Sequence, residues 1–387
     1  MPKILVIADD FTGAAEIGGI AHLFGLSVKI QTSHAGYDKR ENDVIIIDTN
    51  TRSFSPEKAY KTLQSILKDL DLSAFDFIYK KVDSVLRGPI ASEIKAILSM
   101  TNLKKAVLVP ANPSKDRTIK NGKCYINGVP IDLTEFQYDP EYPRNSAMVR
   151  DLIIDGFKEK TSGHPNEEDH SVKLEIPDAY SDDMLKEIVN TRLTKDCLAA
   201  GGADFFTAIM IHKFKLKKAI PVSYLPAGGR RHFIIGTRSI NGISTINTLQ
   251  RLGYTCFYLP EQSLENWKVY KRFSETIISA LDKGQAIIIA RPEIELKGPL
   301  LLRRIIQTLS KTAGVLVNKS SSGDEIFIEG GETASTVIRN LGVNLKIREV
   351  LEIGVVKLEL DNSGICLIVK PGSYHWPKKV FEPSNDA

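Results

Sequence analysis

Ten polar or charged side chains follow four apolar runs in the first third of the sequence. In chain order they are Asp9, Asp10, Thr12, Thr51, Arg52, Lys81, Asp83, Ser84, Arg87 and Asn112. Carboxylates, hydroxyls and amides form hydrogen bonds with hydroxyl groups, whereas lysine and arginine bind anions. The set is therefore suited to a small polyhydroxy acid.

Three carboxylates of this set are candidates for a catalytic role, namely Asp83, Asp10 and Asp9. A carboxylate beside a hydroxyl group can orient it or take its proton. The remaining members are predicted to bind the substrate: Thr12, Thr51, Arg52, Lys81, Ser84, Arg87 and Asn112. Each segment also has a structural interpretation as a helix cap, a solvated charged edge or a turn. Their common position after apolar runs favours the functional one.

The four apolar runs themselves are predicted to be strands of one parallel sheet. They are Ile4 to Ala8, Val44 to Ile47, Phe77 to Tyr79 and Ala106 to Val109. Runs that are apolar on both faces are typical of buried parallel strands, and helical spacing between them predicts crossover helices. In such a sheet, ligands bind outside the carboxyl ends of the strands. This rule brings the ten side chains to one edge.

Further along the chain, residues 110–145 are predicted to leave the sheet as a loop or hairpin, residues 161–170 to form an exposed loop, and residues 181–215 to be helical. A second strand and helix pattern begins near residue 230. We therefore predict an α/β protein of two domains, each a mainly parallel sheet flanked by helices. The predicted domains are residues 1–228 and 229–387.

Two turns of the second domain contain small residues between a predicted strand and a helix. They contribute Ser239 in the first turn and Gly330, Gly331, Glu332 and Thr333 in the second. Small residues let phosphate approach the backbone, and a helix N-terminus offers free N–H groups to an anion. Neither turn has a Walker or GxGxxG sequence, and tight turns at helix starts are the simpler interpretation of each alone.

The bulk composition excludes several classes of protein. The net charge of +4 over 387 residues argues against a nucleic-acid partner. No run approaches the length of a membrane span, and no set of residues is assigned to a metal. The four cysteines, which lack CxxC spacing, indicate buried thiols in a reducing compartment. We expect a cytoplasmic protein and leave a homo-oligomer open.

Several motifs together resemble the four-carbon acid sugar kinases along the whole chain. The N-terminal ones are IADDFTGA from Ile7, Thr51-Arg52-Ser53 and YKKVDSVLRG from Tyr79. The others are PANP from Pro110, IGTRS from Ile235 and GGETA from Gly330. The resemblance implies phosphorylation of threonate, erythronate or 3-oxo-tetronate by ATP with Mg²⁺. The sugar acid would bind the first domain and the nucleotide the second, with the active site in the cleft between them.

The resemblance also adds Gly354 and Lys370 to the predicted nucleotide site. One segment departs from the family pattern, because KPGSYHWP from Lys370 replaces a loop with paired glycines. Two alternatives to a kinase therefore stay open. One is a non-catalytic sugar-acid binding or sensor protein on the same scaffold. The other is a phosphatase or phosphate acceptor that uses Asp9, Asp10, Asp48 and Lys81.

Overall fold

The computed structural model describes residues 1–32, 42–139, 142–153, 173–237, 239–292, 298–360, 363–371 and 375–382. The chain forms two compact units. The first comprises Met1–Val28 and His34–Ala219, and the second Lys29–Ser33 and Ile220–Ala387. The division thus falls shortly before the predicted boundary at residue 228. The functions assigned to the two domains, and the cleft between them, stay predictions.

The strands of the first unit form a parallel sheet and a separate small antiparallel one. In chain order the strands are β1 (Ile4–Ala8), β2 (Val28–Gln31, whose residues from Lys29 on belong to the second unit), β3 (Val44–Asp48), β4 (Phe77–Lys81), β5 (Lys105–Val109), β6 (Arg117–Lys120), β7 (Lys123–Ile126), β8 (Val129–Pro130), β9 (Lys173–Glu175) and β10 (Cys197–Gly201). The parallel sheet has the order β3-β1-β4-β10-β5-β9, and β6, β7 and β8 form the antiparallel sheet.

Six helices accompany these strands: α1 (Phe11–Leu23), α2 (Pro56–Lys68), α3 (Ile90–Ser99), α4 (Val149–Ile153), α5 (Asp182–Arg192) and α6 (Ala203–His212). The four predicted strands and the helices between them are confirmed, with small shifts at their ends. The α/β fold class is likewise confirmed. The hairpin excursion appears as β6 to β8, whereas the polar loop predicted at residues 161–170 lies outside the described residues.

The helices predicted around residues 181–215 are confirmed as α5 and α6, but the sequence does not indicate the strand β10 that lies between them. This strand consists of Cys197, two alanines, a leucine and Gly201, residues without the β-branched side chains that usually mark strands. It pairs with β4 on one side and β5 on the other, so tertiary burial overrides its weak local preference. As a result, the ends of β4 and β5 are not neighbours in the sheet.

The second unit has five parallel strands followed by three antiparallel ones. Its own strands are β11 (Arg231–Ile235), β12 (Thr255–Tyr258), β13 (Ile287–Ala290), β14 (Glu325–Glu329), β15 (Leu345–Glu352), β16 (Val355–Leu360) and β17 (Cys366–Lys370). Their order is β12-β13-β11-β14-β17-β16-β15-β2. The helices are α7 (Ile240–Arg251), α8 (Trp267–Asp282), α9 (Pro299–Lys319) and α10 (Gly331–Leu341).

An aromatic cluster lies in the core of the second unit. Phe233 and Phe327 stack with ring centroids 4.6 Å apart, and Trp376 packs edge-on against Phe327 at 5.4 Å. Trp376 comes from the C-terminal segment that departs from the family pattern, so this segment is anchored in the core. None of the helices described, in either unit, is both long and apolar enough to cross a membrane.

Candidate functional site

The carboxyl ends of β1, β3 and β4 lie level with one another. Ala8, the last residue of β1, is in register with Asp48 of β3 and with Lys81 of β4. The polar residues that follow these three strands therefore leave the same edge of the sheet. This is the arrangement that the sequence predicts for the first unit.

Arg52 holds the two adjacent carboxylates of Asp9 and Asp10. Its Nε lies 2.7 Å from Asp9 Oδ2, and its Nη1 lies 2.6 Å from Asp10 Oδ2. The backbone N–H of Arg52 also donates to the carbonyl of Asp9 over 3.3 Å. Asp10 begins α1 by accepting a 2.8 Å hydrogen bond from the N–H of Gly13. The predicted helix cap and the predicted site are thus the same residue.

The pKa of Asp10 is shifted upward and that of Asp9 downward. Burial raises the pKa of Asp10, the negative charge of Asp9 adds to this effect, and Arg52 and Lys81 only partly oppose it. Burial also acts to raise the pKa of Asp9, but Arg52 and Lys80 outweigh it and the pKa lies below its usual value. Asp9 is therefore the firmly ionised partner, and Asp10 is the stronger base.

Asp83 is bound at two oxygens by Arg87. The Nε of Arg87 lies 2.7 Å from Oδ2, and Nη2 lies 3.3 Å from Oδ1. Burial would raise the pKa of Asp83, but the charges of Arg52 and Arg87 hold it well below its ordinary value. Because Arg52 acts on Asp83 as well as on Asp9 and Asp10, the three aspartates form one cluster. A carboxylate held in this way is a weak proton acceptor.

Lys81 faces Glu16, a residue of α1 that the sequence does not single out. The Nζ of Lys81 lies 3.4 Å from Glu16 Oε2, and that of Lys115 lies 2.8 Å from Glu16 Oε1. Burial would raise the pKa of Glu16, yet the two lysines lower it. Gly13 fits between Asp10 and Lys81, because a Cβ there would lie 2.8 Å from Asp10 Oδ1 and 3.2 Å from Lys81 Cγ.

Thr51 belongs to a buried network of hydrogen bonds. Its hydroxyl donates to Glu93 of α3 and lies 2.7 Å from the hydroxyl of Thr49. Glu93 forms an ion pair with Lys80 over 2.9 Å. Burial is the largest of the effects that raise the pKa of Glu93. The Thr51 hydroxyl thus bonds to buried groups of the protein, whereas the sequence predicts that it binds the substrate.

The other predicted substrate residues are differently placed. Asn112 Oδ1 accepts a 3.0 Å hydrogen bond from the N–H of Asp204 and so holds the beginning of α6. The hydroxyl of Ser84 accepts from Arg117, and Thr12 lies half-buried in the first turn of α1. The structure therefore brings together one group in the first unit, namely Asp9, Asp10, Arg52, Lys81, Asp83 and Arg87.

In the second unit, Lys370 at the end of β17 pairs with Glu329 at the end of β14. Lys370 Nζ lies 3.2 Å from Glu329 Oε1, and both side chains are 0% exposed. Glu329 Oε2 accepts hydrogen bonds from Trp376 Nε1 over 2.8 Å and from the hydroxyl of Thr245 over 3.1 Å. Burial lowers the pKa of Lys370, and Glu329 only partly opposes this shift. Glu329 and Trp376 are missing from the sequence prediction.

The two predicted phosphate turns adjoin this pair. Gly236 donates from its N–H to the carbonyl of Glu329 over 3.0 Å, and Gly330 donates to the carbonyl of Lys370 over 3.0 Å. Thr333 packs so closely against Gly236 that a Cβ on Gly236 would lie 2.8 Å from Thr333 Cβ. Gly330 has a φ of 114°, which favours glycine. The two turns therefore lie side by side.

The remaining predicted nucleotide residues also lie at this edge of the sheet. Ser239 caps α7 by accepting from the N–H of Gly242 over 3.1 Å, and Gly331 and the exposed Glu332 occupy the first turn of α10. Gly354 lies in the turn between β15 and β16, beside the end of β17, because Val356 pairs with Val369. Arg238 and Gly372 to Tyr374 are outside the described residues.

The residues missed by the sequence prediction share one property. Glu16, Glu93, Glu329 and Trp376 each meet their partners across long stretches of chain, as Thr51 meets Glu93 and Glu329 meets Trp376. Glu16 and Glu93 lie on α1 and α3 among mostly apolar, buried residues, and residue type alone does not identify their partners. The one available signal was the departure from the family pattern after Lys370, which indicates that Trp376 has a particular role.

Comparison with protein families identifies the group to which the chain belongs. A family model described as a sugar-binding N-terminal domain matches residues 4–209, which is more than half of the 387 residues. The chain therefore belongs to the family of this sugar-binding domain. The resemblance to four-carbon acid sugar kinases is confirmed by the curated proteins that match it.

Three such relatives illustrate the similarity. The D-threonate kinase of Salmonella typhimurium is 34% identical over 152 residues, which are 39% of this chain and 36% of the relative. The D-erythronate kinase of Heliobacterium modesticaldum is 30% identical over 40% of this chain and 36% of the relative. These matches thus span little more than a third of each relative. The 3-oxo-tetronate kinase of Haemophilus influenzae is 25% identical over 95% of this chain and 96% of its own.

Solved structures share the fold over nearly the whole chain. A Haemophilus influenzae protein of the DUF1537 family has a TM-score of 0.73 at 22% identity, covering 97% of this chain and 98% of its own. A Salmonella typhimurium protein described as a putative tRNA synthase has a TM-score of 0.79 at 18% identity, covering 98% of each. At these identities the likeness establishes the α/β architecture.

Proposed function

We propose that this protein is an ATP-dependent kinase that transfers the γ-phosphoryl group to a hydroxyl of a four-carbon sugar acid. The observation that carries the proposal is the shared coordination of Asp9 and Asp10 by Arg52 at the strand ends. It provides an ionised carboxylate, a more basic carboxylate and a cation within one small cluster. The curated relatives that this chain resembles are named as kinases of such acids.

Asp10 is the candidate for the general base. Of the three predicted catalytic aspartates, it is the one with a raised pKa, whereas Asp9 and Asp83 are held in the ionised form. In the proposed reaction, the substrate oxygen forms a bond to the γ-phosphorus as the bond to the bridging oxygen of ADP breaks. The proton of the attacking hydroxyl passes to Asp10, and Arg52 stabilises the carboxylates around it.

The nucleotide is proposed to bind the second unit at the adjacent turns of Gly236 and Gly330. The first turns of α7 and α10 offer backbone N–H groups and the positive ends of helix dipoles, both of which favour phosphate. Glycine at positions 236 and 330 lets the Thr333 side chain pack against both turns, which keeps the two turns together. Among the described residues, no group of three or more His, Cys, Asp or Glu side chains is arranged so that it could hold a metal ion. The Mg²⁺ expected with ATP would neutralise phosphate charge, with Glu332 as an available carboxylate.

A non-catalytic sugar-acid binding or sensor protein is the second candidate. Lys370, which the family resemblance assigns to the nucleotide, is fully buried and paired with Glu329. Trp376, which lies in the segment that departs from the family pattern, donates a hydrogen bond from Nε1 to Glu329. A lysine held in this way favours a structural role over phosphate binding. The small-molecule partner would be a sugar acid in either case.

One experiment separates the two candidates. Purified protein is incubated with Mg·ATP and each of threonate, erythronate and 3-oxo-tetronate, and ADP release is followed by a coupled assay. The kinase proposal predicts ADP release that depends on one of the acids. Calorimetric titration with Mg·ATP in the presence and absence of that acid is the companion measurement. Acid binding without any nucleotide binding would refute the kinase proposal and support the sensor.

A further inference from the structure

Two arginines beside the loop that follows β4 have only neutral partners. Arg117, the first residue of β6, donates from Nη1 to the hydroxyl of Ser84. Arg144 donates from Nη1 to the carbonyl of Leu86 over 3.2 Å and from Nε to that of Tyr142 over 2.7 Å. In the parts of the chain that the structure describes, neither guanidinium takes part in an ion pair.

The other cations of the first-unit site are all paired with a carboxylate. Arg52 holds Asp9 and Asp10, and Lys81 faces Glu16. Arg87 is likewise bound to Asp83. These pairs leave little uncompensated positive charge for an anionic ligand. The positive charges that lack a bound carboxylate are therefore those of Arg117 and Arg144.

Arg144 is buried despite this lack of a counter-charge. Its residue is 4% exposed, and burial lowers its pKa although Asp139 and Asp83 act in the opposite direction. A buried cation without a bound carboxylate is unfavourable unless another group compensates it. An anion that binds beside Arg144 would remove this cost, and so the free protein is prepared for a negatively charged ligand.

The two guanidinium groups belong to one local site. Both act on the thiol of Cys124 in β7, whose pKa burial nevertheless raises to about 11. They reach the same short loop, at Ser84 and at Leu86. Leu86 has a φ of 64°, a conformation that is uncommon for leucine. Arg144 holds this strained residue through its carbonyl, and strained backbone of this kind is concentrated at functional sites.

We propose that Arg117 and Arg144 bind the carboxylate of the sugar acid and thereby select acids over neutral polyols. This inference rests on the proposed function and identifies the residues that recognise the carboxylate of the substrate. The planar guanidinium group matches a carboxylate through paired N–H donors, which a lysine cannot reproduce. Arg52 then remains with its aspartates, and Asp10 remains available to the reacting hydroxyl.

The test compares each acid with the polyol that lacks its charge. Threonate and erythronate are titrated calorimetrically against the full-length protein, with threitol and erythritol as neutral counterparts. Arg117→Gln and Arg144→Gln should each weaken binding of the acid by about 10- to 100-fold, the range expected for a charge-assisted hydrogen bond. Weak binding of the polyols should not change. The control is Arg150→Gln on α4, because Arg150 is exposed and should leave both affinities unaltered.

The outcomes separate this inference from the proposed function. If the unchanged protein binds none of threonate, erythronate and 3-oxo-tetronate, both proposals fail. If it binds an acid and both variants bind it equally well, only the assignment of the arginines is overturned. Equal losses for acids and polyols would show a structural role and would also overturn it. So would unchanged acid binding with lost turnover, because the pair would then serve the transferred phosphoryl group. If Arg144→Gln does not fold, Arg117→Gln alone decides by the same criterion.

Discussion

Arg52 Nη1 lies 2.6 Å from Asp10 Oδ2, while the same guanidinium binds the preceding aspartate through Nε. One cation thus controls two neighbouring carboxyl groups whose pKa values move in opposite directions. Neighbouring titratable groups whose pKa values are shifted in opposite directions often have separate catalytic roles.

Asp10→Asn should lower kcat by about 10²- to 10⁴-fold, the usual effect of losing a general base. Asparagine retains the capping oxygen for Gly13, so the unfolding transition should change little. Steady-state kinetics with the best four-carbon acid measure the effect. Asp183→Asn, at an exposed position in the first turn of α5, is the matched control. Near-native kcat in Asp10→Asn would exclude Asp10 as the base.

The pH dependence of kcat/KM should reveal the raised pKa of Asp10. The base must be ionised to accept a proton, so the rate falls as pH decreases through the pKa of Asp10. Because burial and Asp9 raise this pKa above the ordinary 3.8, the fall should occur at a higher pH than for a solvated aspartate. Arg52→Met removes a cation that lowers the pKa of Asp10. It should therefore shift the fall to still higher pH, and an unshifted profile would contradict the assignment.

Gly13→Ala should impair the site without weakening the helix. The added Cβ would lie 2.8 Å from Asp10 Oδ1 and 3.2 Å from Lys81 Cγ, so the aspartate or the lysine must move. Small displacements of catalytic groups reduce rates by about 100-fold. Gly314→Ala in α9 is the control, because its Cβ would meet nothing within 4 Å. Equal kinetics in the two variants would show that Gly13 is not constrained by the site.

Glu329→Gln should destabilise the protein strongly. It leaves Lys370 as a buried cation without its counter-charge, and breaking such a pair costs about 3–5 kcal/mol. The free energy of unfolding in urea measures the loss. The control is Glu265→Gln, which removes an ion pair with Arg304 on the exposed surface and should cost about 0–1 kcal/mol. A small loss in Glu329→Gln would mean that water or another group compensates Lys370.

The sequence predicts the polar edge of the first unit well because its strands are continuous apolar runs. From Ile4 to Ala8 every residue is buried, and the run ends where Asp9 begins. In contrast, β10 lacks β-branched residues and is a strand because β4 and β5 pair with it. Local preference does not encode such long-range pairing.

The partners of the site residues were not predictable for a related reason. Residue type indicates that Thr51 and Asn112 can form hydrogen bonds, but it does not indicate with which group. In the structure Thr51 donates to Glu93, and Asn112 accepts from Asp204. The role of Asp10 as a helix cap could be predicted, because its partner Gly13 is only three residues away.

The assignment of Lys29–Ser33 to the second unit has a consequence for how the chain is made. Ile30 of β2 pairs with Leu345 of β15, which lies far later in the chain, so the ribosome adds it long after β2. This strand therefore has to wait for its partner while all the residues between them emerge. The second unit cannot be completed from its own contiguous segment. Splitting the gene between the two units would leave β15 with an unpaired edge, a site at which chains associate with one another.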